Sequence, residues 1–165
     1  MMQSRQILWI GIAVIVLLSV AGVLLVTLNS TNPAFDTAVR FANAAGKGDD
    51  SLAFPLLSDE LQAWVQSNCP DASVSACIQG YIPPEWGGLI SAVFRRSAPD
   101  GAAWDVEVIA TYEKDTGVSG VCSYFRMQPD SSGQWRIHQW AGFVWCGDPS
   151  TRNIATNPDT PNRVP

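Results

Sequence analysis

The sequence predicts an α+β fold: a transmembrane helix at the N-terminus, then helices packed on an antiparallel four-stranded meander. Three observations predict it. An uncharged apolar run opens the chain, helical spacing of apolar residues follows, and strand-like alternation broken by short turn signals fills the second half.

The apolar run "ILWIGIAVIVLLSVAGVLLVTL", 7–28, has 22 residues and no charge. As a helix it spans roughly 33 Å, enough for the hydrocarbon core of a bilayer. A cleaved secretory signal has a shorter apolar region and ends at a small-residue site, and "VTLNSTNPA" offers no such site. An uncleaved anchor is therefore expected, and with no cysteine following the run the usual lipoprotein form is excluded. Arg5 is the lone charged side chain before the span and Asp36 the first after it. Positive-inside bias then places residues 1–6 in the cytoplasm and everything after Leu28 outside the cell membrane. Residues 29–32 form a polar linker, 33–147 the globular domain, and 148–165, with four prolines, a disordered tail.

Within the domain, "PAFDTAVRFANAAGKGDD" places Phe35, Ala38, Val39, Phe41 and Ala42 on one helical face, with Gly46 or Gly48 as the stop. "DDSLAFPLLSDELQAWVQ" reads as a short helix, a break at Pro55 and a second helix whose first turn holds Asp59 and Glu60. "CPDASVSACIQGYIPPEWGG" reads as a loop with a helical turn. Then the period changes. "LISAVFRR", "AWDVEVIATYEK", "VSGVCSYFRMQ" and "QWRIHQWAGFVW" are β-rich, and the separators "SAPDGA", "DTG" and "PDSSG" are hairpin-like. In the second strand Trp104, Val106, Val108, Ala110 and Tyr112 alternate with Asp105, Glu107, Ile109 and Thr111, so one face is buried.

Composition narrows the partners. Setting Arg5 aside, nine basic and fifteen acidic side chains leave the outer part at a net charge of −6. Such a domain repels phosphate backbones, so nucleic acid is not an expected partner. The four cysteines, Cys69, Cys77, Cys122 and Cys146, are even in number and all fall on the outer side, where disulfides form. Four cysteines allow three pairings; the short loop favours Cys69–Cys77, leaving Cys122–Cys146. Their spacings contain no C-x2-C pair, so neither a metal nor another cofactor is expected.

The order of elements resembles the nuclear transport factor 2-like superfamily, also called SnoaL-like or cystatin-like cone folds. The resemblance runs from the first helix into "AAGKGDDSLAFPLLSDEL" and ends on Gly133, Trp135 and Ile137 in "GQWRIHQW". It is closest to membrane-anchored members of bacterial envelopes. It implies a curved, cone-like sheet around the helices, and either an acid–base site inside the cone or a binding and assembly role.

His138 is the single histidine and so the candidate catalytic base. Alternation argues against it. With Trp135 and Ile137 in the core, Arg136, His138 and Trp140 turn to the outer face beside Asp105 and Glu107, where cross-strand charge pairing suffices to explain them. A bulge in the strand would re-aim the ring. Trp104, Tyr112, Trp135 and Gln139 are the candidate lining of a ligand cavity. Tyr124 and Trp140 are the candidate partner surface, suited to a homodimer or an envelope protein. The expected function is a membrane-anchored extracytoplasmic binding or assembly domain without catalysis; the alternative is an isomerase, hydratase or cyclase-like enzyme.

Overall fold

The computed structural model describes residues 32–114 and 121–146. The expected anchor at 7–28 and the tail at 148–165 lie outside them. Among the described residues no helix is long and apolar enough to cross a membrane. The chain divides at Asn32, and the second unit, from Pro33 on, carries the architecture.

Helix α1 spans Pro33–Gly46 and buries Ala34, Ala38, Phe41 and Ala45, the i, i+4, i+7 and i+11 positions of one face. It meets every strand of the sheet. A sharp turn at Gly48 (φ +81°) leads to α2, Asp50–Ala53. Pro55 then sits in a 3₁₀ turn, Phe54–Leu56, before α3, Asp59–Asn68. Ser58 caps α3 by accepting from the Leu61 N–H at 3.3 Å, and Asp59 and Glu60 complement the helix dipole. The Cys69 loop holds more helix than the sequence suggests: α4 covers Val74–Gln79. Its cap is Ser73, and Asp50 accepts from the Ser75 N–H at 2.8 Å and from its hydroxyl. Partial burial pushes the Asp50 carboxyl up, but the hydroxyls of Ser73 and Ser75 and the Ser75 N–H together hold it below its usual range.

Strands β1 (Leu89–Asp100), β2 (Ala103–Tyr112), β3 (Val121–Pro129) and β4 (Trp135–Trp145) pair in sequence order, all antiparallel. The helices-then-meander order is the predicted α+β class, and β1 runs on through "SAPD", read from the sequence as a turn. The inner face carries Ala92, Val106, Val108, Phe125, Met127 and Ile137 against α1. Both disulfides follow the favoured pairing, Cys69–Cys77 and Cys122–Cys146, each with Cα atoms 5.1 Å apart. The first ties the end of α3 to α4, and the second ties β3 to the end of β4.

Bulges decide which side chains face where. On β4, Met127 opposes Ile137 but Arg126 opposes Gln139, so one extra residue lies at His138. A second extra residue follows, because Tyr124 opposes Ala141 and Cys122 opposes Val144. Each insertion shifts the period-2 phase once, and two restore it. The alternation read from the sequence therefore holds at Ile137 and at Cys146, and is inverted between the bulges.

Both sheet edges are plugged. At β1 the Asn43 side chain acts as a one-residue strand: its Oδ1 accepts from the Ala92 N–H at 3.0 Å and its Nδ2 donates to the Ala92 carbonyl at 2.8 Å. Pro99, without an N–H, lies further along the same edge. At β4, Leu57 bridges to Ile137 and the Ser58 N–H donates to the Ile137 carbonyl at 2.9 Å.

Candidate functional site

Trp140 does not lie on the outer face. The bulge at His138 turns it inward, where it is 5% exposed and packs against Phe41, at 5.9 Å between ring centroids, and edge-on against Trp64 at 6.3 Å. The same shift turns Gln139 to the outer side, opposite Arg126. Tyr124 keeps its outer-face position but is buried against Cys122, Ile109 and Cys146. The proposed surface pair Tyr124 and Trp140 is thus split between two cores, and neither ring is available to a partner.

His138 is half-buried, with Nδ1 3.7 Å from Glu60 in the first turn of α3. It lies outside the interior cavity. Arg136, expected beside Asp105 and Glu107, instead donates to Asp130 at 3.0 Å and to the Pro55 carbonyl. Asp130 also accepts from the Ser132 hydroxyl and the backbone N–H groups of Ser132 and Gln134. These bonds, the Ser132 hydroxyl foremost, hold its carboxyl well below the usual range.

The outer face holds an unforeseen cluster. A bulge at Arg95 sends both Arg95 and Arg96 to Glu107, which is 3% exposed. One Glu107 oxygen is 3.1 Å from Cys122 Sγ. A buried carboxylate needs such compensation, and two guanidiniums supply it. Glu107, Cys122 and Cys146 have potential ligand atoms within 4.8 Å of one another, but the two sulfurs are bonded to each other, which leaves no thiolate for a metal. Consecutive arginines in "VFRRS" are the sequence trace of the bulge; strict alternation would separate them. Asp105 does make a cross-strand pair, but with Arg126 of β3 at 3.0 Å and not with Arg136 or His138.

The interior cavity lies between α1, α4 and the sheet. It measures about 40 Å³ and is lined by Phe41, Ile78, Phe125 and Trp140, with Tyr81, Tyr112 and Ser123 as its hydroxyl-bearing side chains. Of the four predicted lining residues, Tyr112 alone borders it. Trp104 packs edge-on against Phe35 at 5.2 Å, Trp135 closes the core at the start of β4, and Gln139 faces away. Burial pushes the Tyr112 phenol up to about 12, so it stays neutral and remains a donor near neutral pH. Ser123 is 8% exposed, and its hydroxyl has no hydrogen-bond partner among the described residues. Among the described residues, the lining holds no carboxylate, imidazole, amine or thiol.

The α+β order and the four-stranded meander fit the nuclear transport factor 2-like architecture that the sequence resembles. No protein-family model matches the sequence, and no curated protein matches it. Among solved structures, a Campylobacter jejuni protein provisionally described as an NTF2-like transpeptidase is similar, with a TM-score of 0.48 and 15% identity. The match covers 66% of this chain and 98% of that one. A likeness of this degree carries no chemistry with it.

Proposed function

We propose that the chain is a single-pass membrane protein, N-terminus in the cytoplasm, whose extracytoplasmic domain binds a partner protein without catalysing a reaction. The location is supported by the uncharged span at 7–28, by Arg5 before it, and by two disulfides suited to an oxidising compartment. The observation that carries the binding reading is the interior. A cavity of about 40 Å³ has room for about three waters, whereas ligand pockets run to roughly 300–1,000 Å³. Recognition then falls to the surface.

The isomerase, hydratase or cyclase alternative is weaker, because the polar side chains of the described cavity lining are the phenols of Tyr81 and Tyr112 and the Ser123 alcohol, besides the Trp140 indole, where acid–base work is best served by an imidazole or a carboxylate. One observation favours a second reading: the partnerless Ser123 hydroxyl suits a compact apolar molecule bearing a single acceptor. The test crosslinks whole cells, solubilises the membranes in detergent and weighs the tagged full chain. A discrete protein adduct is expected. An uncrosslinked chain that retains a small molecule in native mass spectrometry would overturn partner binding in favour of the cavity.

A further inference from the structure

The lysines and arginines of the described domain are spoken for, with two exceptions. Arg95 and Arg96 pair with Glu107, Arg126 with Asp100 and Asp105, and Arg136 with Asp130. Lys114 is engaged as well. Arg40 and Lys47 have no ion pair among the described residues, and both stand on the rim of one groove. That groove, about 330 Å³ and open to solvent, runs along the side of α1 between Val39, Ala44, Leu52 and Leu56. Leu52 is 57% exposed there, the highest exposure of any large apolar residue described.

The groove's one carboxylate, Asp49, is turned into the start of α2, where it accepts from the Leu52 N–H at 3.2 Å and the Ser51 hydroxyl at 2.7 Å. Asp36, one turn before Arg40, lies outside the lining. An acidic domain thus presents an apolar trough bracketed by two free cations. Seven residues separate them along α1 and its last turn, roughly 10 Å at helical rise.

We propose that this groove docks a helical segment of a partner protein that carries an apolar stripe and two carboxylates two turns apart. The inference rests on the partner-binding reading above and adds the place and the chemistry of the contact. Three features select this occupant. The trough is concave, which suits an inserted helix and not a flat bilayer. Its cations stand at separate points, so a single-headed acyl anion would satisfy one and leave the other bare. Its apolar wall runs parallel to a helix, the geometry in which an amphipathic helix lays its stripe into a groove.

The test uses the full chain in phosphatidylcholine nanodiscs and fluorescence anisotropy of a labelled helical peptide, leucine-striped, with two glutamates seven residues apart. Binding is expected to weaken about tenfold in R40E/K47E, which should instead gain affinity for the same peptide with lysines in place of the glutamates. Leu52→Asp, at an exposed position that the fold does not need, should weaken both. Equal binding to the chain and to R40E/K47E, no binding at millimolar peptide, or displacement of the peptide by dodecanoate at matched concentration would each overturn the proposal. If the whole-cell adduct survives in R40E/K47E, the partner docks elsewhere and the binding reading stands without this groove. If the unaltered chain forms no adduct, the binding reading itself fails.

Discussion

Asn43 offers the sharpest test of how this sheet is held. Its carboxamide makes two bonds to Ala92 and a third to the Val39 carbonyl at 2.9 Å. In Asn43→Ala the Ala92 N–H and carbonyl lose their partner at a half-buried site under α1. Two net hydrogen bonds at about 1 kcal/mol each give an expected loss of about 2 kcal/mol. For a domain of this size that is a fall in Tm of roughly 6–12 °C. The measurement is thermal unfolding of the full chain in detergent, followed by tryptophan fluorescence, with hydrogen exchange at the Ala92 amide as the local readout. The amide should exchange faster in the variant by more than the global loss accounts for. A variant within about 0.5 kcal/mol of the parent, with Ala92 still protected, would refute the idea that one side chain stands in for a strand.

Trp140→Ala should cost about 3–5 kcal/mol in the same unfolding assay, as for a large core residue, whereas a surface tryptophan would cost under about 0.5 kcal/mol. Tyr112 should ionise near 12 in an ultraviolet titration, and Tyr112→Phe should remove that step. Because its folded value is raised, stability should fall as pH rises from about 10 toward 12, and the same variant should flatten that limb. Asp50 has a lowered folded value, so its contribution is present above about pH 4 and is lost on acidification below it. Asp50→Asn should therefore lower the unfolding midpoint at pH 7 and shrink the gap between pH 7 and pH 3.

Much of this fold is legible in the sequence because its signals are local. The apolar face of α1, the break at Pro55, the cap at Ser58 and the short cysteine loop each sit within a few residues of what they specify. The second disulfide followed by elimination. Side-chain placement on β4 was legible at Ile137, at the start of the strand, and failed three residues later at Trp140. Strict alternation assumes one residue per rung, and nothing in "IHQW" announces an extra one; Gly142, inside the strand, is the only local hint of the second bulge. The same assumption would set Arg95 and Arg96 on opposite faces, whereas both meet Glu107. The free pair Arg40 and Lys47 was illegible for a different reason: whether a cation is paired depends on the far end of the fold.

The plugs at Ala92 and Ile137 bear on how this chain tolerates its neighbours. On the anchoring proposed above, copies diffuse in a plane, and confinement to two dimensions raises the frequency of encounters between them. An open strand edge under such crowding would be a seed for runaway cross-β growth. Closing each edge at one point, by a side chain at Ala92 and a backbone bridge at Ile137, and not with a whole extra strand, leaves a small domain able to live at high surface density while keeping its surface free for a chosen contact.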